Sequence, residues 1–192
     1  RVAAWRLHAA GLAAGDRLLT WSPSTPRLPA VYWAAMRLGV ILVPLDLRMA
    51  PSVLQRIAAK ADTRWMALGT GGQDAPDPVA AGLDDRTLLP LDELTADPDD
   101  AFPADWEAQL DAWPRPGRGT LVEVIYTSGT TGAPKGVLYS HRSTLLHALS
   151  ACQPGSFDIA ADSVLLAIPP MFHANAWSFP YLAAMTGAKL VL

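Results

Sequence analysis

The sequence predicts an α/β fold in which layered parallel or mixed sheets are flanked by helices. In the first third of the chain, short apolar runs alternate with helical segments, a rhythm typical of a mainly parallel sheet. A similar pattern returns after residue 120. With 51% apolar and 17% charged residues, the 192-residue chain has the composition of a packed core. Its length suits one sizeable domain, or one domain and part of another.

Three predicted helices and three predicted strands alternate in residues 1–70. Val40–Leu45 is a continuous apolar run, as expected for a strand that is buried on both faces. Leu28–Leu38 has Pro29 near its start and Gly39 beyond its end, which is the usual arrangement in helices. The predicted helices are residues 1–14, Leu28–Leu38 and Pro51–Lys60, and the predicted strands are Arg17–Trp21, Val40–Leu45 and Trp65–Leu68.

Residues 69–118 have a different composition, and we predict a loop-rich acidic insertion at about 71–118. Twelve acidic and two basic residues lie between Asp74 and Pro116, whereas the rest of the chain has thirteen basic and six acidic residues. We expect one strand at Thr87–Leu91 and a surface excursion elsewhere. The basic remainder suits a binder of anionic ligands, although an ordinary solvated surface explains it equally well.

Regular structure is predicted again from Thr120 onwards. Ser140 is a good N-cap for the helix that follows it. The last five residues have the pattern of a strand, so we expect the chain to be a fragment at both ends. The predicted strands are Leu121–Tyr126, Gly136–Tyr139 and Val164–Ile168, and the predicted helices are Arg142–Ala151 and a segment around Trp177–Met185.

The loop between two of these strands carries the clearest chemical signal. Its glycines allow the backbone to approach a ligand closely, and successive N–H groups in such a loop can bind phosphate oxygens. Its hydroxyl groups add donors and a candidate Mg²⁺ ligand, while Lys135 supplies a mobile positive charge. The segment is Tyr126-Thr127-Ser128-Gly129-Thr130-Thr131-Gly132-Ala133-Pro134-Lys135-Gly136.

The sequence of this loop argues against two other interpretations. A flexible linker would not normally end in Pro134-Lys135-Gly136 between two strand-like runs. A Walker A loop needs Gly-Lys followed by Ser or Thr and a helix, whereas here Lys135 precedes Gly136 and a strand follows. The pattern therefore disfavours a P-loop kinase or motor.

The segment 126–136 resembles the signature loop of the adenylate-forming superfamily, which includes acyl-CoA synthetases, luciferases and peptide-synthetase adenylation domains. A second segment, Pro169-Pro170-Met171-Phe172-His173-Ala174-Asn175-Ala176-Trp177, resembles the acyl-pocket motif of that superfamily in the form found in medium- and long-chain fatty-acid–CoA ligases. The resemblance is strong over 120–192 and loose over 1–70. It implies the N-terminal part of the adenylate-forming fold.

The resemblance also implies roles for individual residues. Thr127 to Gly132 and Lys135 would hold the nucleotide phosphates, with the Thr127 hydroxyl as a Mg²⁺ ligand. His173 would orient the substrate carboxylate, and Ala174 would present its backbone to the same site. Trp177 would line or gate an acyl tunnel. A structural residue is the alternative for His173, and core packing is the equally weighted alternative for Trp177.

The implied function is ATP-dependent fatty-acid–CoA ligation through an acyl-adenylate, with ATP and Mg²⁺ as cofactors and CoA as co-substrate. The sequence has no Tyr-Gly-x-Thr-Glu segment, no later ribose-binding aspartate and no lid domain with a catalytic lysine. We therefore expect the chain alone to form no thioester. Two alternatives remain open: an aryl- or amino-acid-activating relative, and a truncated module that binds nucleotide without catalysis.

Composition limits the partners and the location. The net charge of −3 argues against nucleic acid, and no apolar run reaches the roughly 18 residues of a membrane span. The single cysteine, Cys152, excludes an intrachain disulfide and is expected to be a small core residue. We expect small-molecule partners and a cytoplasmic location, and leave open peripheral membrane contact and a homodimer.

Overall fold

The computed structural model describes residues 1–70, 75–127 and 134–192. A six-stranded sheet with the strand order β4-β3-β1-β2-β5-β6 forms the centre of the molecule. Its strands are β1 (Arg17–Trp21), β2 (Ile41–Pro44), β3 (Trp65–Leu68), β4 (Thr87–Pro90), β5 (Leu121–Thr127) and β6 (Lys135–Ser140). A second sheet contains two parallel strands, β7 (Val164–Leu166) and β8 (Lys189–Val191).

The central sheet is parallel except at one edge. Strand β1 pairs in parallel with β2 and β3, β3 pairs in parallel with β4, and β2 pairs in parallel with β5. Only β6 runs antiparallel, alongside β5. The prediction of an α/β fold with mainly parallel pairing in the first 70 residues is therefore confirmed. The segment 128–133 connects β5 and β6 and lies outside the described residues.

Helices cover both faces of this sheet. Successive residues of a strand point to opposite faces, so Leu18 packs with α1 and α2 while Leu19 packs with α3. The first face includes the buried residues Met171 and Ala176 from the later part of the chain. The helices are α1 (Val2–Ala9), α2 (Arg27–Leu38), α3 (Pro51–Ala61), α4 (Leu91–Thr95), α5 (Trp106–Ala112), α6 (His141–Cys152) and α7 (Phe179–Thr186).

The acidic segment 69–118 contributes more to the core than the sequence suggests. Its predicted strand is present as β4, which pairs with β3 at the edge of the sheet. Helices α4 and α5 follow, and Leu91, Leu94 and Leu110 are buried in the cluster that includes α1 and α2. The prediction of a surface excursion is therefore wrong for these leucines. Their side chains are buried beneath the charged residues that dominate the composition of this segment.

Helix α6 begins as predicted from its capping residue. The Ser140 hydroxyl accepts a hydrogen bond from the backbone N–H of Ser143 at 3.2 Å, and the Ser143 hydroxyl accepts one from the backbone N–H of Ser140 at 2.9 Å. This reciprocal pair satisfies N–H groups that have no partner inside the helix. Cys152 at the other end of α6 is partly buried against an apolar cluster that includes Leu165 and Leu182.

A left-handed turn, residues 174–178, precedes α7. All five residues have φ between 45° and 65°, and none of them is glycine. The predicted helix around Trp177–Met185 is observed as Phe179–Thr186, so it starts after this turn. The i, i+4 relation of a right-handed helix therefore does not apply to His173 and Trp177.

Candidate nucleotide and acyl-motif site

The two ends of the predicted phosphate loop lie next to each other. Thr127 ends β5 and pairs with Lys135, which begins β6. Both residues are exposed, and the Thr127 hydroxyl lies 3.5 Å from the Lys135 carbonyl oxygen. Ser128, Gly129, Thr130, Thr131 and Gly132 lie outside the described residues, so their phosphate-binding role stays a prediction.

Gly136 has a packing reason to be glycine. A Cβ atom at this position would lie 2.7 Å from Cγ1 of Val124 on the neighbouring strand. Since valine is stiff at χ1, the strands would have to move apart to admit that atom. The glycine after Lys135 therefore allows β6 to lie close to β5 at the base of the loop.

The second motif lies, like the loop, at the carboxyl ends of the parallel strands. Ser24 follows β1, and its hydroxyl accepts a hydrogen bond from the Met171 backbone N–H at 3.1 Å. Arg48 follows β2, and its guanidinium lies 5.7 Å from the ring centre of Phe172. Both contacts occur beyond the carboxyl ends of parallel strands, where Thr127 ends β5. Ligands of open α/β sheets bind at this edge.

His173 directly precedes the left-handed turn, and Ala174 is its first residue. Both residues are exposed, so the imidazole and the Ala174 backbone are accessible to a ligand. The His173 backbone N–H donates to the Pro170 carbonyl at 3.0 Å, which ties the turn to the two prolines before it. The structure is therefore compatible with the predicted pocket roles of both residues, which stay predictions.

Trp177 is not a core residue in the described part of the chain. Its side chain is 49% exposed, and its ring stacks on Phe157 at 6.3 Å and an interplanar angle of 10°. Phe157 in turn makes an edge contact with Phe179 at 5.6 Å. These rings form a partly exposed aromatic wall. Sequence reasoning missed Phe157 because it belongs to neither motif.

A buried polar cluster joins the turn to the central sheet. Glu123 on β5 and Asn175 in the turn are each 2% exposed, and the Asn175 side-chain N–H donates to a Glu123 carboxylate oxygen. The same amide lies 3.2 Å from the Tyr181 hydroxyl. Burial raises the pKa of Glu123 to about 7, although the hydrogen bond from Asn175 lowers it. The sequence analysis did not identify this cluster.

A second contact holds the end of the turn. Ser178 is buried, and its hydroxyl lies 2.8 Å from Nδ1 of His147 on α6. His147 has no role in the sequence analysis. The turn is thus connected to α6 by Ser178 and to β5 by Asn175, which are four and one residues after Ala174.

The described residues fit a Mg²⁺ ion only as a partner of the nucleotide. They contain no group of three His, Cys, Asp or Glu side chains that could hold a metal. Mg²⁺ is commonly bound through one or two protein ligands together with phosphates and water. Thr127 is exposed, and the role of its hydroxyl as one such ligand stays a prediction. In the same described residues, no helix is long and apolar enough to cross a membrane.

Curated relatives match either part of the chain or nearly all of it. A medium-chain-fatty-acid–CoA ligase of Ectopseudomonas oleovorans is 54% identical over 80 residues, which are 42% of this chain and 15% of the relative. A 3-methylmercaptopropionyl-CoA ligase of Ruegeria pomeroyi is 35% identical over 95% of this chain and 36% of the relative. A long-chain-fatty-acid–CoA ligase of Thermus thermophilus is 31% identical over 97% and 34%. The chain thus spans about a third of the length of the relatives that it matches from end to end.

Solved structures show the same fold. The inhibitor-bound N-terminal domain of FACL13 from Mycobacterium tuberculosis matches with a TM-score of 0.74 and 25% identity, over 98% of this chain and 46% of that one. VinN in complex with 3-methylaspartate matches with a TM-score of 0.77 and 29% identity, over 99% and 50%. The profile of the AMP-binding enzyme family matches residues 1–192. Together with the two sequence motifs, this match places the chain in the family of AMP-binding enzymes, the adenylate-forming enzymes.

Proposed function

We propose that the protein to which this chain belongs is an ATP-dependent fatty-acid–CoA ligase. The observation that supports this most strongly is the position of its two motifs at the carboxyl ends of the same set of parallel strands. The loop end at Thr127 and the acyl motif at Met171–His173 both lie beyond the carboxyl ends of parallel strands. A nucleotide and a carboxylic acid that react with each other must be bound next to each other.

The proposed reaction has two steps. A carboxylate oxygen of the fatty acid attacks the α-phosphorus of ATP, and the bond from that phosphorus to the bridging oxygen breaks, which releases pyrophosphate. The sulfur of CoA then attacks the carbonyl carbon of the acyl-adenylate. AMP leaves with one oxygen of the original carboxylate, and the thiol proton passes to solvent.

The residues act mainly by binding and orientation, which is where most of the catalysis of nucleotidyl transfer lies. Lys135 is exposed at the loop end and would neutralise charge on the β- and γ-phosphates. Mg²⁺ would add to this neutralisation, with the Thr127 hydroxyl as one of its ligands. His173 would hydrogen-bond the carboxylate and direct its oxygen towards the α-phosphorus, and the Ala174 backbone would line the same site.

The preference for an alkyl acid comes from the residues around His173. The motif is apolar and aromatic, and it has no aspartate to hold a substrate ammonium group. Trp177 and Phe157 offer a partly exposed aromatic surface to an alkyl tail. Burial of each methylene group would stabilise the complex by about 0.8 kcal/mol.

An amino-acid-activating relative is the second candidate. The match to VinN, solved with 3-methylaspartate, is the observation that favours it. A short acid is a third outcome to test, since a relative matched over 95% of this chain is named for 3-methylmercaptopropionate. A nucleotide-binding module without catalysis would bind ATP and turn over none of these acids.

Acid-dependent exchange of labelled pyrophosphate into ATP discriminates these candidates. We expect the full-length protein to catalyse exchange with octanoate or palmitate and to do so faster than with 3-methylmercaptopropionate, acetate, benzoate or aspartate. Preference for any acid of the second group would overturn the fatty-acid assignment. ATP binding without exchange on any acid would favour the module. We also propose that the 192-residue chain alone forms no acyl-CoA.

The acyl surface is tested by Trp177→Ala in the full-length protein. We expect the variant to change the order of preference among acids of different chain length and to leave KM for ATP nearly unchanged. Trp113→Ala is a matched control, because Trp113 also stacks on an aromatic ring, that of Trp5 at 5.4 Å, but belongs to segment 69–118. An unchanged chain-length profile for Trp177→Ala would assign this tryptophan to packing alone.

A further inference from the structure

The geometry points to Glu123 as a positioning residue that acts through Asn175. We infer that this carboxyl group holds the left-handed turn, and with it His173 and Ala174, in a fixed place relative to β5 and the loop end at Thr127. The inference rests on the proposed function, because it concerns the alignment of an acid with a nucleotide. Nothing in either sequence motif assigns a role to Glu123.

The position of Glu123 suits this role. It lies four residues before Thr127 on β5, the strand that leads directly into the loop. Its partner Asn175 lies two residues after His173 and 52 residues along the chain from Glu123. The hydrogen bond between them therefore joins the strand that carries the nucleotide loop to the turn that carries the acid-binding residues.

The turn depends on contacts with its surroundings. A run of five non-glycine residues with positive φ is unfavourable for L-residues, so it persists only where the surrounding structure fixes it. The described contacts include the burial of Ala176, the contact of Ser178 with His147, and the two contacts of the Asn175 amide. Of these, only the bond to Glu123 reaches the strand of the loop.

Glu123 places an ionisable carboxyl group at a buried position. An ionisable side chain is costly inside an apolar core, and Glu123 lies between the buried residues Val122 and Ile125 on the same strand. An aliphatic residue would avoid that cost, but it would remove the acceptor of a buried amide donor. The Asn175 side-chain oxygen has no hydrogen-bond partner among the described residues. The side-chain hydrogen bonds of Asn175 are therefore those that its N–H groups donate.

The experiment uses the full-length protein and compares Glu123→Ala, Asn175→Ala and the double variant in the exchange assay. We expect each single variant to raise KM for the fatty acid or lower kcat by ten-fold or more, while KM for ATP changes by less than three-fold. The double variant should be no worse than the more impaired single variant, because both remove the same link. Glu123→Gln keeps a carbonyl acceptor for the Asn175 amide and should restore activity to within three-fold of the wild type.

Val122→Ala is the control for general loss of stability in β5, because Val122 is the fully buried neighbour of Glu123. It should lower the unfolding midpoint and leave KM for the acid unchanged. Effects of Glu123→Ala and Asn175→Ala that multiply in the double variant would overturn the inference, and so would equal losses for acid and ATP.

The failure of the proposed function has a separate signature. If none of the fatty acids supports pyrophosphate exchange by the wild type, the proposed function is wrong. The proposed positioning of an acid by Glu123 is then wrong as well. Urea unfolding of the same variants then still tests the link itself. A double variant whose midpoint shift is smaller than the sum of the single shifts shows that Glu123 and Asn175 are coupled, whereas additive shifts show that they are not.

Discussion

Glu123→Gln should change how the stability of the 192-residue chain depends on pH. Burial of Glu123 raises its pKa from 4.5 to about 7, so the native chain holds this proton more tightly than the unfolded chain does. Between these two values, unfolding releases the proton. The free energy of unfolding therefore falls as the pH rises through this window. Above pH 7 the native chain bears the full free-energy cost of a buried, ionised Glu123.

The size of the effect follows from the pKa values. A rise of the native pKa from 4.5 to about 7 corresponds to roughly 3 kcal/mol, most of which falls between pH 5 and pH 8. Glutamine has no such proton, so this contribution is lost in the variant. Histidines also titrate in this range, but they are common to both chains and cancel in the comparison.

The assay is urea unfolding of both chains at pH 5 and pH 8, followed by tryptophan fluorescence. On the change from pH 5 to pH 8, the variant should gain roughly 2–3 kcal/mol in unfolding free energy relative to the wild type. Equal changes in the two chains would refute the raised pKa and the burial of a proton-binding carboxyl group at this position. If the variant instead lost unfolding free energy relative to the wild type on the change from pH 5 to pH 8, the native pKa of Glu123 would be lowered. That result is the opposite of the effect expected from burial.

Three further substitutions test the loop and its surroundings. In the full-length protein, Lys135→Ala should slow pyrophosphate exchange by roughly ten- to a hundred-fold and leave KM for the acid little changed, because a charge-assisted contact of about 1.5–3 kcal/mol is lost. An unaltered exchange rate would exclude the phosphate role of Lys135. Gly136→Ala should lower the unfolding free energy by about 1–3 kcal/mol, because its Cβ meets Val124 at 2.7 Å; unchanged stability would contradict this packing. Ser140→Ala should cost about 1 kcal/mol as the N-cap of α6, and a neutral effect would show that the observed cap with Ser143 contributes nothing.

Much of the central sheet is predictable because its signals are local. Val40–Leu45 is an apolar run and Leu121–Tyr126 is apolar except for Glu123, and both have the length that a buried strand needs. Both strands are observed within one residue of the prediction at each end. The cap of α6 is equally local, since Ser140 and Ser143 are only three residues apart. Both motifs of the site are contiguous segments, which explains why they can be identified without the fold.

The features that the sequence analysis missed depend on contacts between distant residues. Leu91 and Leu94 have helical spacing and could have indicated α4, but the acidic residues around them suggest an exposed loop. The left-handed turn contains no glycine, and Asn175 alone among its five residues is of a type that is enriched at positive φ. Glu123 sits in an apolar strand, and its partner Asn175 is 52 residues away, a separation that leaves no periodic signal.

The transfer of oxygen from acid to nucleotide tests the central claim most directly. The full-length protein is incubated with ATP, Mg²⁺, CoA and octanoate labelled with ¹⁸O in both carboxylate oxygens, and the products are analysed by mass spectrometry. We expect octanoyl-CoA, pyrophosphate and AMP in equal amounts, with one ¹⁸O atom in each AMP, because a carboxylate oxygen attacks the α-phosphorus and leaves with it. Formation of ADP and phosphate, or of AMP without the label, would contradict an acyl-adenylate intermediate.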